Sequence, residues 1–159
     1  MSAYGLPARK FGESNHVTIT EDIYIDCQPA TVFDILSDVR NETAWNDDVS
    51  KADLLTGEPV GQGSQFLTVH GRPLGDITST ITTFDRPGRL EFGATTKLMD
   101  LTVAFTFSES GSGTDVHGTF EPQPKGIMKL LFPLLRPLIR RNMAKQHQNM
   151  KAFCEAQAP

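Results

Sequence analysis

The chain has 159 residues, 38% hydrophobic and 21% charged, the size and composition of one globular domain with its own core, which excludes a disordered or fibrous chain. Its net charge of −4 is uneven: residues 1–122 carry 8 basic and 18 acidic side chains, net −10, and residues 123–159 carry 7 and 1, net +6. An acidic body repels phosphate backbones, so no nucleic acid is expected as a partner, while the basic last segment keeps anionic lipid in play.

Residues 1–15 have no periodicity and mix Gly, Pro, Ser and charge, predicting a flexible N-terminal arm, with 16–159 as a single domain. Val17, Ile19, Ile23 and Ile25 then alternate with Thr18, Thr20, Asp22 and Tyr24, a half-buried strand. Glu21 interrupts its apolar face, and a bulge turning it outward is expected. Pro29 opens a helix where a missing N–H costs nothing, with Val32, Phe33, Leu36 and Val39 at helical spacing, and a second helical turn ends near Trp45.

Six further strands follow at about 50–56, 63–71, 75–85, 89–96, 99–108 and 114–122, separated by short turns rich in Gly and Pro. Connections this short fit hairpins, hence an antiparallel meander. Leu101, Val103, Phe105 and Phe107 against Thr102, Ala104, Thr106 and Ser108 give it a dry and a wet face. From about Ile127 to Ala156 the period is helical, with Leu131, Leu135, Ile139, Met143, Met150 and Phe153 on one face. Pro133 and Pro137 predict a kink or break in its first half. Together these elements predict one α+β domain of six or seven strands, two short helices after the first strand and a long terminal helix.

No apolar run reaches the ~18 residues that span a bilayer, and the first ten residues lack the apolar stretch of a signal peptide. Cys27 and Cys154 lie far apart and fit no metal or redox spacing, so a reducing cytoplasm is the expected location.

Local motifs in this order resemble the SRPBCC superfamily, the START-related proteins of polyketide cyclase and lipid-transport type. Ile25 through Phe33 (I-D-C-Q-P-A-T-V-F), Asp38 and Trp45, the turn Pro59, Gly61, Gly63, Ser64 and Phe66, and Phe84 through Phe92 (F-D-R-P-G-R-L-E-F) carry the resemblance over residues 17–155. It implies a helix-grip fold, a curved sheet wrapped around the final helix and enclosing an apolar cavity. Its members span aromatase/cyclases, lipid and sterol carriers and quinone-binding chaperones, so the fold does not select a function.

The residues offer little catalytic machinery. Gly61-x-Gly63 and Gly111-Ser112-Gly113 are turns between strands, not a phosphate loop or a nucleophile elbow. His16, His70, His117 and His147 share no ligand spacing, so no metal or cofactor is expected. His117 has the parity of a water-facing residue, and His70 shares the parity of Phe66 and Thr68, facing inward as a weak catalytic candidate that could act as acid or base. Phe66, Phe92, Phe105, Phe107, Phe120, Leu131, Leu135 and Met143 are expected to line the pocket, with Trp45 near its mouth and Thr68 or Thr80 placing a substrate.

Two functions compete. One is binding or carrying a hydrophobic small molecule, a lipid, polyketide or other aromatic or isoprenoid metabolite; the other is a polyketide aromatase/cyclase or dehydratase using His70. Several ionisable groups inside the cavity would favour catalysis, and an all-apolar lining would sink it. At the start of the last helix, Lys125, Lys129, Arg136 and Arg140 share one azimuth and apolar residues cover the rest. That excess apolar surface in 125–141 calls for burial by adjoining loops, by the N-terminal arm or by a second subunit in a homodimer, or else for a lid over the cavity or transient contact with an anionic membrane.

Overall fold

The computed structural model describes residues 17–158; the expected arm, 1–15, and His16 lie outside them. Seven strands form a single antiparallel sheet: β1 (Ile19–Ile25), β2 (Val49–Leu54), β3 (Gln65–His70), β4 (Asp76–Asp85), β5 (Arg89–Thr95), β6 (Met99–Ser110) and β7 (Gly113–Pro124). The spatial order is β1-β7-β6-β5-β4-β3-β2. Strands β2 to β7 are the predicted meander, and β1 adds to its far side against β7. The two edge strands are joined through α1 (Pro29–Ser37), a 3-10 turn (Val39–Asn41) and α2 (Glu42–Trp45). A long helix, α3 (Met128–Gln157), ends the described chain. This is the helix-grip arrangement.

Period-2 patterning sets the inner face. Ile81 and Leu90 are fully buried on it, as are Ile25 of β1 and Phe66 of β3. Pro29 starts α1 as expected, and Val32, Phe33 and Leu36 press down on the sheet. Phe33 meets Phe84 edge-on at 4.9 Å between ring centroids and Phe107 at 5.5 Å. Met150 and Cys154 of α3 close this cluster from the other side. The core thus sits under α1 and the C-terminal half of α3.

Three sequence expectations change. The β1–β7 register runs without interruption from Ile19↔Phe120 to Ile25↔Thr114, so no bulge turns Glu21 outward. It faces inward because His147 of α3 supplies a partner, Nδ1 to Oε2 at 2.9 Å, and pairing offsets the cost of burying the carboxylate. The terminal helix is unbroken across Pro133 and Pro137; both prolines stand on its exposed side, where the carbonyls they leave unbonded meet water. Finally, the first half of α3 does not press its apolar side onto the sheet. Phe132 is buried, but Ile127, Leu130, Leu131, Leu134, Leu135 and Leu138 are exposed.

Among the described residues, no helix is long and apolar enough to cross a membrane. Phe33 carries three contact surfaces at once, so Phe33→Ala should cost about 3–5 kcal/mol of stability through the cavity it opens. Urea unfolding followed by circular dichroism measures this, with a lowered midpoint and an unchanged slope as the expected outcome.

Candidate functional site

The same strands that carry the core run on beyond the cover of α1. Two positions further along, their inward residues are Thr68 and His70 of β3, Ile77 and Ser79 of β4, Phe92 and Ala94 of β5, Leu101, Val103 and Phe105 of β6, and Phe120 of β7. With Leu36, Val39, Glu42, Trp45 and Asn46 they bound a partly open cavity of about 240 Å³. Phe92, Leu101, Val103, Phe105 and Phe120 are only half-buried although they stand in the middle of the sheet. Apolar side chains in that position border space, not packed protein. Gly118, paired with Phe105 across β6 and β7, helps make the room: a Cβ there would stand 3.3 Å from the Phe105 ring.

Six of the residues expected to line the pocket do so: Trp45, Thr68, His70, Phe92, Phe105 and Phe120. The other six are placed elsewhere. Phe66 and Phe107 have the inward parity but lie under α1, where they are core. Thr80 is on the outer face, its hydroxyl accepting from Gln65 Nε2 at 3.3 Å, because inward parity on β4 belongs to Ile77, Ser79 and Ile81. Leu131 and Leu135 point to solvent, and Met143 is half-buried outside the cavity lining. No residue of α3 lines it, because α3 meets the sheet at the β1 and β7 side.

Two polar groupings face the apolar wall. His70 Nε2 and Thr68 Oγ1 are 3.0 Å apart, and Thr68 Oγ1 donates to the Ile77 carbonyl at 3.3 Å. With the hydroxyl proton given to Ile77, Nε2 of His70 carries a proton and donates to Thr68, leaving Nδ1 a free acceptor. Burial lowers the His70 pKa, against the pull of the Asp48 charge, so its neutral form prevails at neutral pH.

The second grouping comes from α2. Glu42 and Trp45, three residues apart, share one side of that helical turn. Burial pushes the Glu42 carboxyl up to about 7, with the Asn46 side chain opposing. Trp45 Nε1 is buried without a hydrogen-bond partner. Glu42 is the ionisable site residue the sequence reading missed, along with apolar and small lining residues such as Leu36, Ile77, Leu101 and Val103; a four-residue helix gives no periodicity by which to orient it.

The corner that carries these residues is clamped by α3. Asn149 donates to the Trp45 carbonyl at 3.2 Å, Gln146 accepts from the Asp47 amide at 3.2 Å, Lys145 pairs with Asp47 at 2.7 Å, and Asn142 bonds Asp48 at 2.6 Å. On the other side Arg40 bridges Asp38 and Glu58, each at 2.8 Å. Elsewhere, His117 is exposed and pairs with Asp22 at 2.6 Å. Among the described residues, no group of three or more His, Cys, Asp or Glu could hold a metal ion, and Cys27 and Cys154 are free and buried.

A sequence profile for polyketide cyclase / dehydrase and lipid transport proteins matches residues 16–155. The chain belongs to that family, within the SRPBCC superfamily. The solved structure of TTHA0849 from Thermus thermophilus superposes with a TM-score of 0.72 at 16% identity, covering 90% of this chain and 100% of that one. Ara h 8.0201 gives 0.68 at 9% identity, covering 89% of this chain and 99% of that one. The di-domain ARO/CYC BexL of the BE-7585A biosynthetic pathway gives 0.68 at 20% identity over 89% of this chain and 50% of that one. At these identities the likeness is one of fold. No curated protein matches the chain in sequence.

The raised Glu42 carboxyl has a measurable consequence. A carboxyl whose folded pKa exceeds its unfolded one stabilises the fold fully below the ordinary carboxylate range, and that stability is lost as pH rises through about 7. Glu42→Gln removes this dependence. Between about pH 4 and about pH 8 the wild type should therefore lose up to about 3 kcal/mol relative to Glu42→Gln, read as the difference between their urea midpoints at the two pH values.

Proposed function

We propose that this family member binds a hydrophobic small molecule, a lipid, polyketide or other aromatic or isoprenoid metabolite, in the cavity between the sheet and the α1–α2 segment. The observation that carries the reading is the unpacked apolar wall of Phe92, Leu101, Val103, Phe105 and Phe120 in the centre of a well-packed domain. Leaving such surface uncovered forfeits the ~25 cal/mol per Å² that its burial would contribute. A ligand of matching shape recovers that energy, and a wall of rings gives it contact area without fixed chemistry.

A second reading, a polyketide aromatase/cyclase or dehydratase, draws support from one specific feature. His70 and Glu42 are both ionisable and both border the cavity; burial brings the Glu42 carboxyl up to about 7, where it exchanges a proton readily, and lowers His70, which is left as a neutral base. The fold shared with an ARO/CYC protein is compatible with that chemistry. The simpler binding role uses the same wall and requires no proton transfer, and it is the one we adopt.

Native mass spectrometry of the freshly purified protein, followed by extraction, separates the two. The expected result is an apolar compound that travels with the protein and leaves unchanged after incubation. A compound that is converted over time by the wild type, and is left intact by His70→Ala, would overturn the binding role in favour of the enzyme.

A further inference from the structure

Trp45 Nε1 and the Glu42 carboxyl present an unusual pair at the cavity. The indole N–H is a buried donor with no acceptor among the described residues, which ordinarily costs about 1–3 kcal/mol and calls for an explanation in a native structure. Glu42, three residues before it on α2, borders the same cavity. His70, with its Nδ1 unengaged by Thr68, borders it from β3. Among the described residues that line it there is no Lys or Arg.

We propose that Glu42 and Trp45 form an anchor for a neutral hydroxyl group, so that the cavity selects ring compounds ending in a phenol, enol or alcohol. This rests on the reading of the cavity as a ligand site. A hydroxyl is the simplest group that satisfies both partners: its oxygen accepts from Trp45 Nε1–H while its proton is donated to the Glu42 carboxylate. With Glu42 ionised, as at mildly alkaline pH, a carbonyl only accepts and leaves the carboxylate without a donor. A carboxylate only accepts and adds a second negative charge beside Glu42 with no cation to offset it. A plain hydrocarbon leaves the indole donor unpaired, as it is without ligand.

The test uses three probes with one ring system, naphthalene, naphthol and naphthoate, titrated calorimetrically into the full chain at mildly alkaline pH. Naphthol should bind about tenfold more tightly than naphthalene, the gain of one well-made buried hydrogen bond, and naphthoate more weakly than naphthalene. Trp45 is the chain's single tryptophan, so its indole N–H gives one resonance, which naphthol should shift well downfield and naphthalene should not. Trp45→Phe and Glu42→Leu, which remove the donor and the acceptor, should each lose the preference for naphthol, read as the ratio of naphthol to naphthalene affinity within each variant. Equal affinity for naphthol and naphthalene, or a preference for naphthoate, would overturn the anchor while the cavity reading stands. Failure of all three to bind would overturn both.

Discussion

A seven-stranded antiparallel sheet presents more inner surface than the elements of this chain can cover, and that shortfall organises the molecule. Period-2 alternation commits every second residue of β1 and β3 to β7 to one face. The cover consists of a nine-residue α1, one turn of α2 and the C-terminal half of α3. Where α1 and α3 reach, Ile81, Leu90, Phe107 and Val116 are buried. Two residues along the same strands lie Ser79, Phe92, Phe105 and Gly118, where a small side chain, none at all, or a ring facing space replaces packing. Cavity and core are consecutive stretches of one surface, so the rigidity of the site is inherited from the packed half.

The position of α2 depends on charges and amides as well as on apolar burial: Trp45 packs against the core, but none of the four residues is fully buried. Asn142, Lys145, Gln146 and Asn149 are spaced at three, one and three residues, which puts them on adjoining rows of α3 facing the Trp45–Asp48 corner. Exposed pairs such as Lys145–Asp47 contribute little singly. Four contacts from one helix to one corner nonetheless fix its orientation, and with it the approach of Glu42 and Trp45 to the sheet. The acidic body and basic terminal segment visible in the sequence are thus joined in part at the wall of the cavity. Glu21 and His147 repeat the theme beneath, a carboxylate of the sheet held by a helix residue 126 positions away.

The sequence reading and the structure agree where period and punctuation are strong. Turn residues delimit all seven strands, and strand parity puts Thr68, His70, Phe92, Phe105 and Phe120 on the inner face. Parity does not say how far along a strand the cover extends, which is why Phe66 and Phe107, correct in face, belong to the core. On α3 the apolar residues occupy so much of the circumference that no single face stands out. Phe132, Gln146, Met150 and Cys154 are the ones that turn inward, and Leu131 and Leu135 are rotated away. Glu21 looked like an outlier because its partner is invisible at sequence distance, and Glu42 sits in a helix too short for a pattern.

The electrostatics of the site bear on binding and catalysis alike. With no Lys or Arg among the described lining residues, burial raises the Glu42 carboxyl and lowers the His70 imidazolium, driving both toward their neutral forms. Neutral groups hold a polar end by hydrogen bonds without demanding a counter-charge, which suits an apolar molecule with one hydroxyl. The raised carboxyl brings Glu42 near neutral pH, where it transfers a proton readily, while the lowered His70 stays an unprotonated base. A carrier and a catalyst built on this cavity would therefore share every wall and both polar groups. What separates them is where the anchor places the rest of the ligand: a compound held by its hydroxyl at α2 exposes only apolar rings to Phe92, Phe105 and Phe120, and rings offer no proton for His70 to move.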